Sequence, residues 1–513
     1  MDEVQPPGGD VRRGWLFRTF VSWDGGRQNG GPSTFPTDPA LRRLMHNPWG
    51  QYVVLSVLMF ASQVTAAELG MGLRIGEVTQ SSAIVWTRVT RESQRVWDGY
   101  RDVRGREPAE AVPVESRDGA MPGASGEVRL LYRPIGTAEA RRTEWQTVGP
   151  ERDFIHQFVI TDLAPATKYE VTVEARSPGE AAASASVEGS FTTAAGADEW
   201  QDVSFAVVTG QMYKDLDDRQ GFLVYPSMQR LGLQFLVSTG DTVYYDNDPP
   251  LATSDELARY HWQRMYSLPA HVEFHRHVPG YWEVDDHDIL QNDCWPSMPS
   301  KLMRPLTFAR GAELFREQVP MGDGPTHRTI RWGKGLQIWL VEGRLYRSPN
   351  NLADGPEKSI WGREQREWLM RSILESDADF KVLVSPTPIV GPDRSGKSDN
   401  HANAAFAWEG ELFRRWTAEH RLDNLFVCCG DRHWQYVSVD PATGLREFSC
   451  GPVSDQHAGG SPGRDPEIQS FHRVKGGCLT VSVSQQAGRP TIAFRHHAVD
   501  GSVVNELVVP ADR

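Results

Sequence analysis

The hydrophobic period of this chain changes once, across the linker TTAAGADEW at 192–200, and that change divides it into two kinds of fold. Before the linker, short apolar and β-branched runs are separated by turn formers: SAIVWTRV (82–89), VRLLYRP (128–134), FIHQFVITDL (154–163) and KYEVTVEAR (168–176). Runs of this kind, without a sustained helical period, predict an all-β sandwich over 68–195. Residues 91–127, charged and rich in Gly and Pro, read as a loop inserted into it. After the linker, continuous apolar strands alternate with amphipathic helices. The strands are VSFAVVT (203–209), LQFLVST (233–239), LQIWLVE (336–342), FKVLVS (380–385) and NLFVCC (424–429). The helices are predicted at 255–268, 363–375 and 410–421. Strands buried on both faces and separated by helices predict an α/β domain over 200–513. The tail predicts a hairpin, CLTVSVSQ with TIAFRHHAV, in which alternation turns only one of His496 and His497 inward.

A chain of 513 residues exceeds one ordinary core, in keeping with two domains and an N-terminal appendage. The formal charge of -13 argues against a nonspecific grip on nucleic acid, which needs a basic face to displace counterions. Five cysteines, irregularly placed, make neither a disulfide framework nor a CxxC zinc pattern, and leave room for one bridge at most. The run YVVLSVLMFAS (52–62) is too short to span a bilayer and fits the core of a signal peptide, with Val64 and Ala66 before a cleavage point. The reading is therefore a signal peptide at 45–67 and an exported protein, periplasmic, cell-surface or secreted, with no stable transmembrane anchor. Residues 1–44 read as a disordered extension, or as sequence upstream of a true start at Met45. A monomer is expected.

In open α/β sheets ligands bind beyond the carboxyl ends of the strands, and here those ends are polar. LQFLVST is followed by Gly240, Asp241, Thr242, Val243 and Tyr244. VPGYWEV is followed by Asp285, Asp286, His287 and Asp288, with Asn292 shortly beyond. NLFVCC is followed by Gly430, Asp431, Arg432, His433 and Trp434. One such cluster alone would cap a helix or close a turn. Three together bring acids that repel one another unless a cation neutralises them. Oxygen donors with one or two imidazoles and no thiolate predict Ca, Mg, Mn or iron rather than a structural zinc, in a cluster of two or more ions. Two such ions can orient a hydroxide for in-line attack and clamp the oxygens of a phosphoester.

The same blocks carry a family resemblance. GDTVYYD resembles the GDxxY block, WEVDDHDILQND the WDDHxxxxN block, GDRHW the GDxH block and EGRLYRSP (342–349) the LDxRxYRS segment of the PhoD-like alkaline phosphatases, within the calcineurin-like metallophosphoesterase superfamily. The N-terminal sandwich is similar to their accessory domain, and DLAPATKYEVTVEA resembles the corner of a fibronectin type III domain. The resemblance runs from about 69 onward. It implies a metallophosphoesterase-like sandwich of mixed β-sheets flanked by helices, preceded by an immunoglobulin/fibronectin-like sandwich. It further implies a metal-dependent phosphoric ester hydrolase, a phosphomonoesterase or phosphodiesterase, with a phosphoester as substrate. Asp241 and Asp286 would then be metal ligands, with Tyr244, Asn292, Asp431 and His433 completing the shells. His287, beside Asp285, would face the leaving group, and Arg344 would clamp phosphate with its planar fork. The family has Ser-Cys-Gln after the first strand, the Cys serving iron, whereas this chain reads Thr209-Gly210-Gln211. Iron is therefore not carried over, and Gln211 or one of Asp215, Asp217 and Asp218 would have to compensate. FKVLVSPTP lacks the His of the broader superfamily, and Glu342-Gly343 replaces the usual residues before Arg344.

Two readings compete. GPDRSGKS (391–398) satisfies a nucleotide phosphate-cradle pattern and nominates Lys397 and Ser398, but DNHANAAF begins with turn formers where that pattern requires a helix. The segment reads better as a loop over the pocket, with Arg394 or Lys397 near substrate. Alternatively, a degenerate site behind an adhesive β-sandwich would make a noncatalytic binding protein. Cys428 and Cys429 close an apolar strand and read as packing.

Overall fold

The computed structural model describes residues 66–105, 111–300 and 302–511. The extension predicted at 1–44, and all but the last two residues of the predicted signal peptide, lie outside them. Two mixed β-sheets stack face to face. The first runs, in spatial order, Val503–Pro510, Arg489–His497, Cys478–Gln486, Val203–Val208, Phe235–Ser238, Gly280–Trp282, Leu73–Gly76, Ala83–Arg88 and Ile155–Ile160. The second runs Arg328–Trp332, Leu336–Leu340, Phe380–Ser385, Leu425–Cys429, Arg446–Cys450, Gln435–Val439 and Gln469–Arg473.

Residue parity explains why the central strands are apolar throughout. Phe205, Val207, Phe235 and Val237 point between the sheets, where they meet Ile338, Val382, Phe426 and Phe448. Their neighbours Ala206, Val208 and Leu236 point outward into a second core formed with Tyr225, Trp262, Phe274 and Phe315 of the helices. On the other side, Trp339, Leu383 and Val427 pack under Leu369 and Phe413 of helices Gly362–Glu375 and Ala407–Glu419. A strand covered on both faces has no polar face to show, so the alternating pattern of a half-exposed strand is lost. Aromatic rings fill the seam: Phe235 stacks on Phe205 at 4.6 Å and on Trp332 at 4.8 Å.

The fold is the layered α/β sandwich expected, preceded by a fibronectin-like β-sandwich. The latter's second sheet contains Arg141–Arg142, Gly126–Pro134, Lys168–Arg176 and Ala185–Thr192, with Gln146–Val148 beside Gly126–Pro134. Tyr169 makes the expected corner, its hydroxyl accepting the N–H of Ala164 at 2.8 Å. The sandwich's other strands, Leu73–Gly76, Ala83–Arg88 and Ile155–Ile160, belong to the nine-stranded sheet. The join is parallel, with Gly76 opposite Gly280.

The tail departs from expectation at two places. A third strand, Val503–Pro510, follows the hairpin, and its pairing slips between His496 and His497. This bulge breaks the alternation, so both imidazoles are buried. His496 Nε2 donates to the Ser449 carbonyl and His497 Nδ1 to that of Gly501. All five cysteines are buried free thiols, so the single bridge allowed for is not formed. No helix among the described residues is long and apolar enough to cross a membrane.

Replacing Phe235 by Ala removes the ring shared by both sheets and is expected to cost about 3–5 kcal/mol. A fall in the urea unfolding midpoint with an unchanged slope would register it; an unmoved midpoint would mean the seam is not the main core.

Candidate metal centre

The two sheets touch at their carboxyl ends. Thr209, just past the first strand, pairs with Pro452, and its carbonyl accepts the N–H of Val453 at 3.2 Å. Its hydroxyl accepts the N–H of Asp431 at 3.4 Å. Around this junction three strand ends turn through left-handed residues: Gly210 at φ +62°, Asp241 at +53° and Asp431 at +58°. Short polar side chains tolerate that region better than other non-glycine residues. Gly240, at φ +89°, lets two acidic loops approach, since a Cβ there would fall 2.5 Å from both Cβ and N of Asp285.

The turns gather acids out of water. Asp241, Asp286 and His287 each offer a ligand atom within 4.8 Å of the others, as do Asp241, Asp285 and Asp431. Asp241 Oδ1 and Asp285 Oδ2 are buried without a hydrogen-bond donor. Asp431 Oδ2 touches Arg432 Nη2 without the alignment of a hydrogen bond. Buried acceptors left open from different loops are a costly arrangement in protein alone, and one that cations satisfy. The donor set therefore fits divalent ions.

The acids are fixed from behind. Arg344, fully buried, pairs through Nε with Asp285 Oδ1 at 2.5 Å, with Nη2 3.6 Å from Asp286 Oδ2. Burial lifts the Asp285 carboxyl well above the usual range, with Asp286 and Asp241 adding to it and Arg344 opposing. Glu342 holds the loop that carries Arg344, accepting the N–H groups of Arg344 and Leu345 at 2.8 and 2.7 Å. Asp288 ties two loops together: Oδ1 accepts from Thr242 and Val243, and Oδ2 from Asp285. Burial, reinforced by Asp241, pushes its carboxyl up to about 7.

Aromatic donors line the other side. Tyr244 donates its hydroxyl to Asp241 Oδ2 at 2.9 Å, and its ring stacks on His287 at 4.4 Å. His287 pairs through Nδ1 with Asp246 Oδ1 at 2.6 Å. Burial alone would depress this imidazole, but Asp286, Asp241 and Asp246 outweigh it and raise its pKa well above the ordinary value. His433 Nε2 lies 3.8 Å from Asp241 Oδ2.

Four expected residues are placed otherwise. Asn292 is exposed, and its backbone N–H, not its side chain, reaches Asp246 Oδ2. Gln211 turns its amide oxygen to the Tyr225 hydroxyl at 2.5 Å, away from the acids, while its backbone N–H holds Asp241 O at 2.8 Å. Arg344, proposed to grip phosphate, is wholly buried among carboxylates because they outcompete water for its fork. Lys397 pairs with Asp293 at 2.6 Å and Asp399 at 3.3 Å, and turns rather than a helix follow its loop, so the nucleotide-cradle geometry is absent. Arg394 remains partly open, its guanidinium 5.9 Å from the Trp434 ring. Asp246 and His457 carry no mark in the sequence, and Asp288, though in the acidic block, ties loops together instead of facing the ions. Asp246 lies inside the GDTVYYD block; His457 lies in a loop with no period to mark it.

With this geometry in view, the family model described as PhoD-like phosphatase matches residues 205–502. The chain belongs to the PhoD-like phosphatase family. A relative, alkaline phosphatase D of Bacillus subtilis (strain 168), is 20% identical over 463 residues, which cover 79% of this chain and 74% of the relative. A solved structure of PhoD superposes with a TM-score of 0.66 at 16% identity, covering 88% of this chain and 90% of that one. A purple acid phosphatase from yellow lupin (Lupinus luteus) seeds gives 0.59 at 11% identity, covering 86% and 74%. For a PhoD-like phosphatase the acid cluster is what the family calls for: a metal-dependent phosphoesterase.

Chelation should lower the Tm, and a divalent cation at a hundredfold above its Kd should restore about 2.7 kcal/mol; a Tm indifferent to both would leave the cluster without ions. Gly240→Ala should cut bound metal and turnover by about tenfold or more through the clash with Asp285. Gly232→Ala is its control, left-handed at φ +66° with open space around it. It should cost about 1–2 kcal/mol of stability and leave metal content alone.

Proposed function

We propose that this chain is an exported phosphoester hydrolase of the alkaline phosphatase type, acting on phosphomonoesters or phosphodiesters by in-line attack of water on phosphorus. The reading rests above all on the buried, donorless oxygens of Asp241 and Asp285 beside Asp286, Asp431 and His287. We read 200–513 as the catalytic part, 68–195 as its accessory sandwich, and the apolar run at 52–62 as the export signal. A net charge of -13 favours a small phosphoester over a nucleic-acid surface.

Asp241, Tyr244, Asp286, Asp431 and His433 would hold the ions. Bound divalent cations would supply positive charge for the phosphoryl oxygens and a water acidic enough to attack near neutral pH. Oxygen donors predominate over Asp285 and Asp286, which suits Ca, Mg or Mn there. His287 gives Nδ1–H to Asp246, which fixes the ring and leaves Nε2 to protonate the departing oxygen as the phosphorus–oxygen bond breaks. Arg344 keeps Asp285 and Asp286 in place, and Asp288 holds the two acidic loops in register. Arg394, on its open loop, is the group left to meet the substrate.

Elemental analysis combined with turnover of p-nitrophenyl phosphate and bis(p-nitrophenyl) phosphate tests this. Asp286→Ala should lose metal together with on the order of a thousandfold in rate. His287→Gln should keep the metal and lose about a hundredfold or more. Full activity in Asp286→Ala, or no hydrolysis of either ester under any divalent metal, would sink the proposal.

A further inference from the structure

His457 stands in none of the motifs, yet it closes the metal centre. Its Nε2 lies 2.9 Å from the Tyr244 hydroxyl, and its ring centroid is 4.1 Å from that of His433. Tyr244 is in turn 2.9 Å from Asp241 Oδ2 and 3.5 Å from His433 Nε2. Four donor atoms from three loops thus gather about the Tyr244 hydroxyl: carboxylate, phenol and two imidazoles. Ligands about 2.0–2.2 Å from a common ion stand about 3–4 Å from one another, close to the separations of Tyr244 from Asp241, His433 and His457 and the 3.8 Å between His433 and Asp241. The other oxygen of Asp241 is buried and donorless.

The far side of the ring is held as well. His457 Nδ1 donates to Asp215 Oδ2 at 2.8 Å. A carboxylate on one imidazole nitrogen fixes the tautomer, leaves the lone pair on the other and raises its basicity, the arrangement typical of metal-bound histidine. Gly210 leaves the room: a Cβ there would come within 3.1 Å of His457 Cδ2. Missing side chain and inserted ring are complementary.

We propose that His457, oriented by Asp215, is a protein ligand of a transition-metal position completed by Asp241, Tyr244 and His433. Two nitrogens and two oxygens suit a borderline cation such as Zn2+, Co2+ or Fe, unlike the all-oxygen cluster of Asp241, Asp285 and Asp431, which suits a hard ion. Asp241 belongs to both, so the two positions share a ligand. The inference rests on the metal-dependent reading above, and sharpens it by assigning unlike ions to the two positions.

The test loads chelator-treated full chain with Co2+ and follows the visible d–d bands. The wild type should take up one equivalent with resolved bands. His457→Ala should weaken Co2+ binding about a hundredfold, and Asp215→Asn, acting through the ring, about tenfold, with Ca2+ affinity by calorimetry held in both. His457→Cys should add a thiolate-to-cobalt charge-transfer band in the near ultraviolet, which only a ligand at 457 can produce. Unchanged Co2+ affinity in folded His457→Ala, or no new band in His457→Cys, overturns the proposal. A wild type that hydrolyses esters with Ca2+ yet binds no Co2+ overturns it while leaving the hydrolase reading intact. One that binds Co2+ through His457 but hydrolyses nothing does the reverse.

Discussion

Carboxylates brought together out of water repel one another, and the centre of this protein is arranged around that repulsion. Arg344 and Arg432 stand behind the acids, both fully buried, and neutralise part of the charge. The front is left open, with oxygens that no protein donor reaches. Such a cluster is poorly stable as bare protein and well made as a receptacle for cations, whose charge exceeds anything a side chain could add. The folding free energy given up in burying the acids is recovered when an ion binds.

The backbone provides the geometry. Left-handed turns at Gly210, Asp241 and Asp431 throw the chain sideways at the ends of three strands, so their side chains face the junction of the sheets instead of running on past it. Conformations of this kind persist only where the surroundings over-determine them. Here Thr209, Asp288 and the backbone N–H of Gln211 do so, each linking one loop to another. One of them, from Thr209 to Asp431, also joins the two sheets.

Much of this was legible in the amino acids. Continuous apolar runs marked Val203–Val208, Phe380–Ser385 and Leu425–Cys429 because strands covered on both faces must be apolar. Asp241, Asp286 and Asp431 stood out as acids directly after strands. What stayed hidden depended on three dimensions. Asn292 and Gln211 sit at the expected places in the chain but present backbone, or the wrong face, to the centre. The Arg344 fork has the shape to hold phosphate, but carboxylates occupy it. His457 and Asp215 are 242 residues apart and meet only after folding. The bulge at His496 and His497 arises from the pairing with a third strand, which the two-strand pattern could not contain.

The strands Leu73–Gly76 and Gly280–Trp282 lie side by side in one sheet. The amino-terminal sandwich is therefore no detachable handle. Severed at the linker, the remaining portion would expose the hydrogen-bonding groups of Gly280–Trp282 as a raw edge, immediately before the Asp285–Asp286 loop. Raw edges recruit other chains. The amino-terminal strands seal the edge of the sheet that carries the acids, and an isolated carboxyl-terminal fragment would be prone to self-association at the margin nearest that cluster.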